Sequence, residues 1–224
     1  MSILKREKYL EKIRPYYKKQ LIKVLTGQRR VGKTYMLYQV RAELIKLYPG
    51  ANIIFIDKEK YEFDGIGSYK DLIHYVKTHT SKGTNFLFID EVQEIQEFEK
   101  ALRSLLSDGS YDIYCTGSNS HLFSGELSSF LSGRQIEIQI QSLSYPEFLL
   151  FHKLKKNNES LMQFIKYGGL PYLIHLPKND EIIFDYLKNI YATILFRDIV
   201  GRYGIRDIAF LERLIKYIAD NTGN

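Results

Sequence analysis

The segment Gly27-Gln28-Arg29-Arg30-Val31-Gly32-Lys33-Thr34 constrains this chain more than any other eight residues. The apolar run Leu21–Thr26 precedes it, and a stretch with helical spacing, Lys33–Tyr48, follows until Pro49-Gly50 stops it. A glycine-rich turn between a strand and a helix lets the backbone wrap an anion with its N–H groups pointing inward. The helix N-terminus adds partial positive charge at the same spot. With Lys33 and Thr34 closing the turn, the pattern is that of a Walker A phosphate loop. It predicts ATP and Mg2+ as cofactors, with Lys33 on the β- and γ-phosphates and the Thr34 hydroxyl on the metal. The expected nucleotide-binding set runs through Gly27, Gln28, Arg29, Arg30, Val31, Gly32, Lys33, Thr34 and Tyr35.

Around that loop, residues 20–145 alternate strand and helix. Leu21–Thr26, Asn52–Asp57, Phe86–Asp90, Asp112–Gly117 and Gln135–Leu143 read as strands. Lys33–Tyr48, Ser68–His79, Ile95–Ser107 and His121–Leu131 read as helices, the second opening on a Ser-x-x-Asp cap. Such alternation implies an α/β fold with a parallel sheet covered on both faces. Ile53–Ile56 and Phe86–Ile89 are unbroken apolar runs suited to central strands, whereas Gln135–Gln141 alternates and suits an edge. After Ser144 the reading is helical throughout, over Pro146–Lys155, Glu159–Tyr167, Asp180–Val200 and Asp207–Asp220. We therefore expect a P-loop core over 1–145 and a lid-like helical part over 146–224. Ile208, Leu211, Leu214, Ile215 and Ile218 form a stripe that needs a packing partner, so the chain reads as part of a longer protein.

Composition narrows the class. Apolar residues at 45% and charged residues at 26% are those of a soluble globular chain, with no run near the roughly 18 residues a membrane span needs. One cysteine, Cys115, excludes a disulfide framework, and the charged start lacks a signal-peptide core, so the expected location is cytoplasmic. The net charge of +6 sits mostly in residues 1–33, which hold eleven Lys/Arg against two Glu. Tyr9, Leu10, Ile13 and Tyr17 interrupt this block at helical spacing. It therefore reads as a docked helix serving the phosphate site, and nucleic-acid binding is not expected of it. The five histidines lack metal-ligand spacing, and Asp64-Gly-Ile-Gly67 matches a GTPase DxxG pattern without its strand or its guanine motif.

Two further constellations carry chemistry. Phe86-Leu-Phe-Ile-Asp90-Glu91 delivers two carboxylates to the end of a buried strand beside the loop. Asp90 would hold magnesium and Glu91 would activate the attacking water as general base. Thr116, Ser118 and Asn119, at the end of the next strand, offer a hydroxyl or amide to the γ-phosphate, with Ser118 preferred.

Together TGQRRVGKT, LFIDEVQEIQEFEKALRSLL, CTGSNSHLF and SGRQIEIQIQSLSYPEFL resemble a prokaryotic family of AAA-type ATPases related to the STAND signal-transduction group. The resemblance runs from about residue 6 to the end. It implies the ASCE type of P-loop NTPase, with a five-stranded parallel sheet in the order 5-1-4-3-2 and a helical segment closing over the nucleotide. It gives Ser118 a sensor role, makes Arg134 either an arginine finger for a neighbour in a homo-oligomer or a plain surface residue, and sets Pro171 of Gly169-Leu-Pro171 against the adenine. It also implies a continuation into a winged helix and a nuclease-like region, where any nucleic-acid contact would lie. The leading expectation is Mg-dependent ATP hydrolysis that drives a conformational switch or a nucleic-acid-associated regulator. The alternatives are a nucleotide-dependent binding module with negligible turnover and, disfavoured, a small-molecule kinase.

Overall fold

A sheet of five parallel strands organises the first part of the chain, in a computed structural model that describes residues 4–117, 133–201 and 204–222. The strands are β1 (Ile22–Thr26), β2 (Asn52–Asp57), β3 (Asn85–Asp90), β4 (Tyr111–Gly117) and β5 (Gln135–Gln139). Their order is β2-β3-β4-β1-β5, the expected 5-1-4-3-2 read from the opposite edge; it places β2 at an edge, paired only with β3, although the apolar run Ile53–Ile56 had suggested a central strand. The helices are α1 (Glu7–Ile13), α2 (Lys33–Leu47), α3 (Tyr69–Thr78), α4 (Phe98–Ser107), α5 (Tyr145–His152), α6 (Asn158–Tyr167), α7 (Asp180–Thr193) and α8 (Ile208–Asp220).

The apolar runs of β3 and β4 are buried along their whole length because helices cover both faces. Successive side chains alternate between those faces. Leu87, Ile89, Ile113 and Cys115 meet Leu72 and Val76 of α3 and Leu102 and Leu105 of α4. Phe86, Phe88 and Tyr114 meet Leu10 and Ile13 of α1 and Met36, Leu37, Val40 and Leu44 of α2. Each such side chain contributes about 1.5–3 kcal/mol relative to exposure. Burial also pushes the Cys115 thiol up to about 12.

Some element ends differ from the sequence expectation. α4 starts at Phe98 instead of Ile95, because the Gln96 N–H donates to the Gly67 carbonyl and the Gln96 carbonyl accepts from Tyr69, holding that stretch extended. β5 ends at Gln139, since its partner β1 stops at Thr26 and the Ile140 N–H takes the last carbonyl there. The expected helix Asp180–Val200 divides into α7 and a π-helical stretch, Ile194–Val200. The expected helix His121–Leu131 lies outside the described residues.

The chain divides into two compact units, Met1–Pro171 and Tyr172–Asn224. The first includes α5, which opens on a capping box between Ser144 and Glu147, and α6, whose Phe164 ring packs on Tyr145 and Phe148. The second carries α7 and α8, with Asp207 capping α8 by accepting from the Phe210 N–H. Among the described residues no helix is long and apolar enough to cross a membrane.

One buried ion pair crosses the sheet. Lys23 on β1 donates to Asp112 on β4, and Asp112 also accepts from the Tyr114 hydroxyl at 2.7 Å and the Lys18 N–H at 2.9 Å. Burial pulls the Lys23 ammonium's pKa down, against the pull of the Asp112 charge. Removing one partner leaves the other charged and buried. Asp112→Ala should therefore destabilise the protein by about 3–5 kcal/mol in urea unfolding followed by circular dichroism. Adding Lys23→Met should recover most of that loss; an additive double variant would refute the coupling.

Candidate functional site

β1 ends at Thr26, and the chain turns at once through two glycines that no other residue could replace without strain. Gly27 has φ +141°, and a β-carbon there would stand 2.1 Å from the Ile140 carbonyl oxygen. Gly32, with φ +94°, is the N-cap of α2, and Arg30 between them also has positive φ. A glycine cap offers no side chain to the first turn of the helix. The open amides of that turn are the groups an anion would meet.

Lys33 begins α2 with only 4% of its surface exposed. Its ammonium folds back to donate to the carbonyls of Gly27 at 3.1 Å and Gln28 at 3.0 Å, with a Glu91 carboxylate oxygen 3.8 Å away. Thr34, one residue on, donates 2.7 Å to Asp90 at the end of β3. Asp90 is 1% exposed and takes a second hydroxyl from Thr116 on β4. That same Thr116 oxygen accepts the Glu91 N–H at 2.8 Å. Glu91 itself has φ +52°, a left-handed conformation that turns the chain sharply out of β3. Three elements thus converge on one cluster.

Burial works against the charged forms of this cluster even though each is hydrogen-bonded. Burial pulls the Lys33 pKa down, partly offset by the Glu91 and Asp90 charges. Burial pushes the Asp90 carboxyl up, against the hydrogen bonds from Thr116 and Thr34 and with the repulsion of Glu91 and Asp57. An anion beside Lys33 together with a cation beside Asp90 would relieve both.

The structure brings together Gly27, Gln28, Val31, Gly32, Lys33, Thr34, Asp90 and Glu91. Arg29 lies close enough for its charge to act on Lys33. Arg30 is exposed, and Tyr35 is exposed by 57% while its ring meets Tyr38 edge-on. Pro171 stands 3.9 Å from where a β-carbon on Gly32 would begin. Just before it, the Gly169 carbonyl accepts from the Leu143 N–H, so closely that a side chain there would reach within 2.2 Å of the Leu143 oxygen. Arg134 is not brought to the cluster within this chain. It is exposed, and its carbonyl accepts from Ile22 at the start of β1, the far end of a strand about 13 Å long. Ser118 lies outside the described residues.

Sequence reasoning ranked Thr116 behind Ser118 and missed its place between the two acids. The signal was its position, one strand over from Asp90 and level with the end of the apolar run. Asp57 was missed as well: it is buried, and it pairs in register with Asp90 across β2 and β3.

Comparison with known proteins bears on the same residues. A family model described as an AAA domain matches residues 19–149. An uncharacterized protein of Haemophilus influenzae is 32% identical over 233 residues, covering 99% of this chain and 57% of that protein. One from Methanocaldococcus jannaschii is 35% identical over 199 residues, covering 84% of this chain and 44% of that protein. The chain thus spans about half the length of the curated relatives it matches. Hsp104 of S. cerevisiae, in an extended complex with casein, shares the fold at TM-score 0.50 and 18% identity, over 88% of this chain and 39% of that one.

The two loop glycines should differ in cost. Gly27→Ala must push the Ile140 backbone aside and should destabilise by more than about 3 kcal/mol. Gly32→Ala meets nothing closer than the Pro171 ring at 3.9 Å and incurs mainly backbone strain, about 1–2 kcal/mol. Thermal melting of both variants checks the order, and equal losses would contradict the close approach at Gly27.

Proposed function

We propose, for a chain that belongs to the AAA domain family, that it binds ATP with magnesium and hydrolyses it, the cycle serving as a conformational switch. The observation that carries this reading is the convergence of Lys33, Thr34, Asp90, Thr116 and Glu91 on one cluster at the mouth of the glycine loop. Lys33 would exchange its two carbonyl acceptors for phosphate oxygens. Thr34 and Asp90 would hold the magnesium, which supplies a divalent charge against the phosphates when bound. Among the described residues no group of three or more His, Cys, Asp or Glu could hold a metal.

Glu91, its backbone held by Thr116, would take the proton of the attacking water. In this reading Ser118 acts as sensor, Pro171 closes on the adenine, and Arg134 serves the site of a neighbouring copy in a homo-oligomer. The division into a core over 1–145 and a lid-like part over 146–224 belongs to the same proposal. So do a cytoplasmic location and a regulatory role that nucleic acid reaches only through other parts of a longer protein.

Lys33→Ala removes a charge-assisted contact to the phosphates and should weaken ATP binding about tenfold or more by calorimetric titration. Unchanged affinity would sink the loop assignment. Glu91→Gln should bind ATP with nearly unaltered affinity while steady-state phosphate release falls by about a hundredfold or more, because the amide cannot accept the proton. Wild-type turnover in that variant would send the base role elsewhere. Tight ATP binding without phosphate release in the wild type would leave a binding module in place of a hydrolase.

A further inference from the structure

Arg6 stands among the cations of the basic N-terminal block, yet only 4% of its surface is exposed. It precedes α1, and its backbone N–H donates 2.9 Å to the Gln39 side chain of α2, which in turn donates to the Leu4 carbonyl. The guanidinium reaches three carbonyls and one carboxylate. Nη1 donates to Val31 at 3.2 Å and Gln141 at 2.9 Å, and Nη2 to Ser142 at 3.4 Å. Nε and Nη2 form a fork with Glu147 of α5, at 2.8 and 3.1 Å. The Tyr9 ring lies 4.6 Å beneath the guanidinium carbon.

We infer that Arg6, backed by Glu147, is a positioning residue for the glycine loop. This rests on the nucleotide reading above and deepens it. Val31 lies between Arg30 and Gly32, both left-handed, so local preference does little to hold its peptide. The peptide is planar and trans, with carbonyl and N–H on opposite sides. Anchoring the Val31 carbonyl on Arg6 therefore turns the Gly32 N–H away from the anchor, as one of the amides the loop offers to phosphate. Gln141 and Ser142 directly follow Ile140, whose carbonyl abuts Gly27. One rigid side chain thus holds the late part of the loop and the segment against its early part. A lysine, with a single point of charge and no planar fork, cannot serve these acceptors together.

Arg14 and Glu43 provide the control. They form a similar fork at 3.1 and 2.7 Å, shared with the Tyr17 hydroxyl, and none of these three is in the loop. The experiment titrates wild type, Lys33→Ala, Arg6→Lys, Glu147→Gln and Glu43→Gln of this chain with Mg-ATP by calorimetry, at a temperature where melting curves show the variants folded. Arg6→Lys should raise the Kd about tenfold and Glu147→Gln by a smaller factor, with kcat at saturating ATP near that of the wild type. Glu43→Gln should lower the Tm but keep the Kd within about twofold. If Arg6→Lys does not fold, Glu147→Gln alone decides. Wild-type Kd in the folded Arg6 and Glu147 variants, alongside lost binding in Lys33→Ala, overturns the positioning role and leaves the nucleotide reading standing. Equal weakening in Glu43→Gln overturns it too, because loss of stability would then explain everything. A wild type that binds no ATP overturns the reading beneath.

Discussion

A carboxylate cut off from water must find its hydrogen-bond donors inside the protein, and Asp90 finds them on two other elements. Thr34 brings the first turn of α2 to the end of β3, and Thr116 brings β4 to the same point. Losing either hydroxyl would strand part of a buried charge at a cost of about 1–3 kcal/mol or more. The satisfied arrangement therefore fixes helix, loop and two strands relative to one another. Lys33 and Glu91 take their places as neighbours in the chain of Thr34 and Asp90. Apolar packing could bring the same elements together with a looser register; the buried carboxylate is what makes the register specific.

Strands and loop were legible because each rests on a short local pattern, whereas the strand order came only with the family resemblance. Phe86–Ile89 is apolar without a break, which only a doubly covered strand requires, and Gly27 to Thr34 joins strand to helix in eight residues. Other features depend on partners that are remote in the chain. The left-handed turn at Glu91 has no glycine to announce it, and its N–H is held by a threonine 25 residues away. Ile95 is buried as its spacing suggested, but it lies before the helix begins, since apolar periodicity reports which side chains are inside and not the backbone that carries them.

The basic N-terminal block teaches the same lesson about charge. Arg6, Arg14 and Lys23 look alike in composition, yet they pair with Glu147, Glu43 and Asp112, at separations of 141, 29 and 89 residues. Counted along the sequence they are a local excess of cations. Counted in space they are tethers: Arg6 and Lys23 tie the start of the chain to α5 and β4, and Arg14 ties the residues after α1 to α2. A charge cluster near a phosphate loop can thus be mainly structural, with its contribution to anion binding carried through the backbone it holds.

Cys115 is the chain's single cysteine, on β4 between Val24 of β1 and Ile89 of β3. Its thiol is sealed from solvent and held far above the range in which thiolates form. The thiolate is the form that attacks an alkylating reagent and displaces its leaving group, so reaction has to wait for the centre of the sheet to open. The residue is thereby an internal clock. Its labelling rate counts the excursions in which β4 parts from its neighbours, one residue along the strand from the threonine that joins Asp90 to Glu91.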